Sequence, residues 1–108
     1  RVPGRSHLSV TTPGAVDGWF ELHGRFGRLS MPEILQPTID YARDGFPVTQ
    51  VIGDMWQSGE YLKDSPGFAD TYLIDGKAPK EGEIYRNPDL AVTFETIVRF
   101  HRRLSVRA

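Results

Sequence analysis

The chain has 108 residues, with thirteen Lys and Arg against fourteen Asp and Glu and a formal net charge of −1. That balance gives no electrostatic drive toward nucleic acid or an anionic membrane. The absence of cysteine excludes disulfides, thiolate catalysis and Cys-ligated zinc.

A chain of this size buries only roughly 60–70% of the surface it exposes when unfolded, so it is either one small domain or part of something larger. The first residue is Arg1 rather than Met, and processing or trimming upstream is the expectation. No signal peptide is visible, and no apolar run approaches the ~20 residues of a membrane span.

Taken in order, the run Leu8-Ser9-Val10-Thr11-Thr12 reads as an edge strand, followed by the turn signal Pro13-Gly14. Thr12 is placed to cap a first helix with Pro13 at its first position. Ala15, Trp19, Leu22 and Phe26 form its apolar stripe, and Gly24 and Gly27 end it. Trp19 is expected to be mostly buried, with truncation to alanine costing ~3–5 kcal/mol.

Ser30-Met31-Pro32-Glu33 is a capping box opening a second helix lined by Leu35, Ile39 and Ala42 and stopped by Gly45. Phe46-Pro47-Val48 reads as a connector. Thr49 then caps a third helix with Ile52, Met55, Trp56 and Leu62 on its inner face, weakened by Gly53 and Gly59. Ser65-Pro66-Gly67 is a loop, Asp75-Gly76 a turn, and Lys77 to Arg86 an extended surface loop. Asn87-Pro88-Asp89 opens a last helix with the stripe Leu90, Phe94, Ile97 and Val98. The expected architecture is mainly α: about four helices and one or two short strands. Eleven glycines and eight prolines make it loop-rich, which suits a layer packed on a partner better than a self-sufficient bundle.

No catalytic centre emerges. His7, His23 and His101 lie at no metal-ligand spacing. His23 reads as a helix-surface imidazole, and His101-Arg102-Arg103 as a solvated basic end. Asp75, Glu81 and Glu83 alternate with Lys77, Lys80 and Arg86, the pattern of a solvated loop rather than a carboxylate pair. Gly24-Arg25-Phe26-Gly27 lacks phosphate-loop spacing, and no Gly-x-Ser-x-Gly elbow is present. Trp19, Phe20, Trp56, Tyr61 and Tyr72 read as packing residues rather than base-stacking ones. Thr11 and Thr12 would need a free amino group to act as nucleophiles, and capping suffices for Thr12. No catalytic, cofactor-binding or metal-binding residue is assigned.

A series of motifs resembles the gamma-glutamyltransferase family. Ser9-Val10-Thr11-Thr12-Pro13-Gly14-Ala15-Val16-Asp17-Gly18-Trp19 is similar to the family's S-V-x-x-P-G-x-V-x-G-W segment. Leu22-His23 with Phe26-Gly27-Arg28-Leu29 follows, then Leu35-Gln36-Pro37-Thr38-Ile39 and Ala42-Arg43-Asp44-Gly45-Phe46-Pro47-Val48. Tyr72-Leu73, Asp75-Gly76, Gly82-Glu83 and Arg86-Asn87-Pro88-Asp89-Leu90-Ala91 with Thr93 complete it, over residues 8 to 98 in unbroken order. Residues 99 to 108 depart from the family's E-x-G-x-x-x-F-Y-x-G continuation.

The resemblance implies an N-terminal-nucleophile hydrolase whose proenzyme cleaves itself into large and small subunits. A new N-terminal threonine then transfers or hydrolyses a gamma-glutamyl group. The implied parent fold is a four-layer αββα sandwich. Residues 1 to 108 would be a partial large-subunit helical segment. Its implied partners are the remainder of the proenzyme, including the small catalytic subunit, and a small gamma-glutamyl substrate in the intact enzyme. The nucleophile motif, the oxyanion-hole glycines and the arginine that grips the substrate carboxylate have no counterpart here. The segment is therefore expected to be inactive alone and to leave apolar surface uncovered. The alternative is a stand-alone helical interaction module.

Overall fold

The computed structural model describes residues 1, 4 and 6–104, with side chains as far as residue 100. The basic end His101-Arg102-Arg103 is helical in its backbone, and its side chains lie outside the described residues. Among the described residues the chain is mainly helical, as expected, with five α-helices rather than four and one two-stranded sheet. It divides into two units, residues 1–31 and 32–108.

In the first unit, His7–Ser9 forms a short 3-10 turn where a strand was expected. The local hydrogen bonds explain the change. Ser6 Oγ accepts from Leu8 N–H at 3.2 Å, and Ser9 Oγ donates to Ser6 O at 2.6 Å. A strand needs a neighbour to satisfy its ladder, whereas these serines close a turn with their own side chains. Helix α1 spans Ala15–Phe26, capped by Gly14 rather than Thr12. Gly24 lies inside it, and Gly27 is its C-cap, donating to His23 O. The stripe periodicity is as expected, but no residue of α1 is buried. Trp19 is 41% exposed, Leu22 63% and Phe26 75%, which corrects the expected burial of Trp19.

The second unit is built around α2, Met31–Asp44, and α5, Pro88–Leu104. Helix α2 begins immediately after Ser30, with Glu33 in its first turn. Leu35, Ile39 and Ala42 are buried with Ala91, and Phe94, Ile97 and Val98 pack against them. Burying one such large aliphatic is worth roughly 1.5–3 kcal/mol. Pro37 sits within α2 but on the side away from Leu35 and Ile39, so its missing N–H falls on the solvent side. Arg43 and Glu95 form an ion pair between the two helices. Asn87 caps α5, its Oδ1 accepting from Leu90 N–H at 3.0 Å.

The segments read as connector and surface loop are structural. Strand β1, Phe46–Pro47, pairs antiparallel with β2, Ile84–Tyr85. Val48 continues the pairing, donating to Glu83 O at 2.9 Å and accepting from Gly82 N–H at 2.8 Å. Val48, Ala78 and Pro79 are all buried. Gly45 makes the turn from α2 into β1 at φ 96°, and a Cβ there would lie 2.5 Å from Ile84 Cγ2.

Helix α3, Gln50–Gln57, starts after Thr49, whose side chain makes no capping bond. Its buried residue is Gly53, and a Cβ there would lie 3.2 Å from Glu81 N. Ile52 and Met55, expected on the inner face, are 47% and 66% exposed, whereas Trp56 and Leu62 are partly buried. A five-residue helix α4, Phe68–Tyr72, precedes the turn at Asp75-Gly76, which is closed by the Ile74–Lys77 bridge.

Two substitutions test this description. Gly45→Ala should lower the thermal midpoint, because the left-handed backbone alone costs an alanine roughly 1–2 kcal/mol and the Cβ also meets Ile84. Trp19→Ala should cost less than the roughly 3–5 kcal/mol of a buried tryptophan, as befits a side chain 41% exposed. A larger loss in a melting experiment would place Trp19 in a core.

Candidate functional site

His7 is exposed in the 3-10 turn. His23, on α1, is half-buried, with Nε2 2.6 Å from Leu29 O, where its ring ties the end of α1 to the following connection. Asp75, Glu81 and Glu83 are exposed. Thr11 and Thr12 are exposed in irregular chain. Among the described residues no group of three or more His, Cys, Asp or Glu side chains could hold a metal ion, and no helix is long and apolar enough to cross a membrane.

A concavity lies beside the two-stranded sheet. A cleft of about 360 Å³ is lined by Asp70, Thr71, Leu73, Ile74, Ile84, Tyr85 and Arg86. Three elements build it: α4 brings Asp70 and Thr71, β2 brings Ile84 and Tyr85, and the step into α5 brings Arg86. Tyr85 is buried, and its hydroxyl donates to Thr71 O at 2.8 Å. Arg86 Nε donates to Asp44 O at 2.9 Å, so its guanidinium also closes the end of α2.

An aromatic row stands behind the cleft. Trp56 meets Tyr85 edge-on at 4.7 Å, Tyr85 meets Phe46 at 5.9 Å, and Phe46 meets Tyr41 at 6.5 Å. Burial pushes the Tyr85 hydroxyl above its ordinary value, opposed by a hydrogen bond from the Asn87 side chain. The cleft therefore offers one carboxylate, one guanidinium and hydroxyl groups, but no histidine. The Tyr85 hydroxyl and the Arg86 guanidinium serve the fold. None of these lining residues was singled out as a cluster in the sequence, because a five-residue helix and a two-residue strand are too short to show a period.

With no reaction centre in the geometry, likeness to other proteins carries the assignment. Residues 1–103 match the gamma-glutamyltranspeptidase family. The chain belongs to that family. It is 37% identical over 90 residues to the glutathione hydrolase-like YwrD proenzyme of Bacillus subtilis, covering 82% of this chain and 17% of that protein. It is 36% identical over 105 residues to the oxamate amidohydrolase proenzyme of Klebsiella pneumoniae, covering 89% of this chain and 20% of that protein. The cephalosporin acylase of Bacillus halodurans superimposes with a TM-score of 0.84 at 32% identity, over 92% of this chain and 20% of the acylase. The chain thus spans about one fifth or less of the length of these gamma-glutamyltranspeptidase relatives.

The Tyr85 environment gives a prediction with a definite sign. The native state holds the Tyr85 proton more tightly than the unfolded chain does. Its contribution to stability is therefore complete below pH 10.0, the ordinary tyrosine value, and is lost as pH rises through the elevated native value. The melting midpoint should fall above pH 10.0. Tyr85→Phe should remove that alkaline component while costing about 1 kcal/mol at neutral pH for the lost bond to Thr71. Parallel alkaline melting curves for the two proteins would refute the assignment.

Proposed function

We propose that this chain is a scaffold segment of an enzyme that transfers or hydrolyses gamma-glutamyl groups, and that residues 1–108 form part of its large-subunit region. The carrying observation is the family match over residues 1–103. The ordered run of motifs from Ser9 to Thr93 supports it. The partner in this reading is the rest of the same proenzyme, and two of the relatives bear the word proenzyme in their names.

The reaction follows from the N-terminal-nucleophile chemistry that the family resemblance implies. A threonine Oγ outside this chain attacks the amide carbonyl, and its own α-amine takes the proton. The amine leaves with a proton, an acyl-enzyme ester forms, and water or an amino acceptor releases the gamma-glutamyl group. The role of this chain is to hold α2, α5 and the paired strands as a rigid layer beside that machinery. The relatives named for oxamate and cephalosporin support a second reading, a sister enzyme cleaving a different amide. A free-standing interaction module has no comparable support.

The test uses a gamma-glutamyl anilide. The whole protein encoded with this segment should release the aniline, and the 108-residue chain alone should match the buffer blank. Release by the isolated chain, abolished by a substitution within it, would overturn the scaffold reading. A whole protein that ignores the anilide but cleaves oxamate or an acylase substrate would move the assignment to the sister activity.

A further inference from the structure

Helix α3 partly buries Trp56 but leaves its aliphatic residues in solvent. Its inner side is Gly53, set close enough to the backbone of residues 79–81 that a Cβ would lie 3.2 Å from Glu81 N. Gln57 and Glu60 continue that side: Gln57 Nε2 donates to Ala78 O at 3.5 Å, and Ala78 N–H donates to Glu60 Oε1 at 2.9 Å. At 100° per residue, Val51, Ile52 and Met55 fall on the opposite side. They are 66%, 47% and 66% exposed. A helix normally turns its apolar stripe to the core and its polar stripe to water. Here Trp56 turns inward onto Tyr85 beside the glycine backbone and the polar groups, while the aliphatic face is outward.

We infer that the Val51–Ile52–Met55 face is a docking surface for another segment of the same enzyme, one lying outside these 108 residues and presenting an apolar helix or sheet face. The inference rests on the family reading above. It commits to that occupant because the chain spans only 17–20% of its relatives. A contiguous apolar patch left in solvent marks a contact surface, and four fifths of a relative's length remains to supply its cover. The surrounding side chains fit such a cover. Asp54 and Ser58 line one edge of the aliphatic patch with short exposed polar groups, as part of a polar rim does beside an apolar contact.

The chain has no cysteine, so one introduced thiol is an unambiguous probe. Met55→Cys would be made in the whole protein and in the 108-residue chain, and its labelling by a bulky maleimide timed in native buffer and in denaturant. In the whole protein, native labelling should be slower than denatured labelling by at least about tenfold, because labelling then waits on opening of the contact. In the isolated chain the two rates should agree within a few-fold. Equal rates in the whole protein would overturn the inference, as would protection in the isolated chain accompanied by a dimer in light scattering, which would make the occupant a second copy. Val51→Glu should release the protection in the whole protein; unchanged protection would also count against this face. Labelling and the anilide assay separate the two claims. Protection without gamma-glutamyl activity keeps the docking surface and removes the substrate, whereas activity with free labelling does the reverse.

Discussion

Helix α2 ends in carbonyl groups that need donors, and the way they are met organises the second unit. The last turn of any helix leaves carbonyls without intrahelical partners. Gly45 N–H bonds to Tyr41 O at 3.0 Å, Asn87 N–H to Ala42 O at 2.8 Å, and Arg86 Nε to Asp44 O at 2.9 Å. Two of the three donors come from the far side of the β1–β2 pairing. The same contacts that close α2 therefore fix the start of α5, and Ala91 is delivered onto Leu35, Ile39 and Ala42. Gly45 permits this because its positive φ turns the chain directly from helix into strand.

Local signals in the sequence were read well where they were self-sufficient. The stop at Gly45, the Asn87-Pro88-Asp89 start and the Leu35–Ile39–Ala42 stripe depend on a few neighbouring residues, and all appear in the structure. The segment Lys77 to Arg86 was misread because its burial is long-range. Ala78 and Pro79 are polar-flanked in sequence, and distant partners, the glycine opening on α3 and the Glu60 carboxylate on Ala78 N–H, draw them inside. Helix α4 escaped notice because five residues are too few to show a period. For α1 and α3 the periodicity was right and the inference of burial was not: a stripe announces that a face needs covering, without saying that this stretch of chain supplies the cover.

The same distinction explains how function could be read here without a site. Catalytic side chains must converge, and the cleft of Asp70, Thr71, Tyr85 and Arg86 holds no histidine and ties its Tyr85 hydroxyl and Arg86 guanidinium to the backbone. The family signature is carried instead by residues that set backbone direction, among them Gly45, Pro47, Asn87 and Pro88. Such positions keep a segment recognisable even where the reacting groups lie elsewhere. The match over residues 1–103 reflects a shared frame, which a TM-score of 0.84 against the acylase describes geometrically.

The pairing of Phe46 with Tyr85 also sets an order of events in time. Bringing together strands separated by about forty residues costs on the order of 3 kcal/mol of chain entropy before any contact between them offsets it. Helices α2 and α5 can each flicker into shape within microseconds, but neither gains its neighbour until that closure succeeds. Helices α3 and α4 lie inside the closing loop, where Gln57 and Glu60 meet Ala78 across a shorter span. The most costly closure in chain entropy is thus the strand pairing rather than any turn of helix. A change that shortens or stiffens the stretch between the two strands would be felt first in the rate of folding.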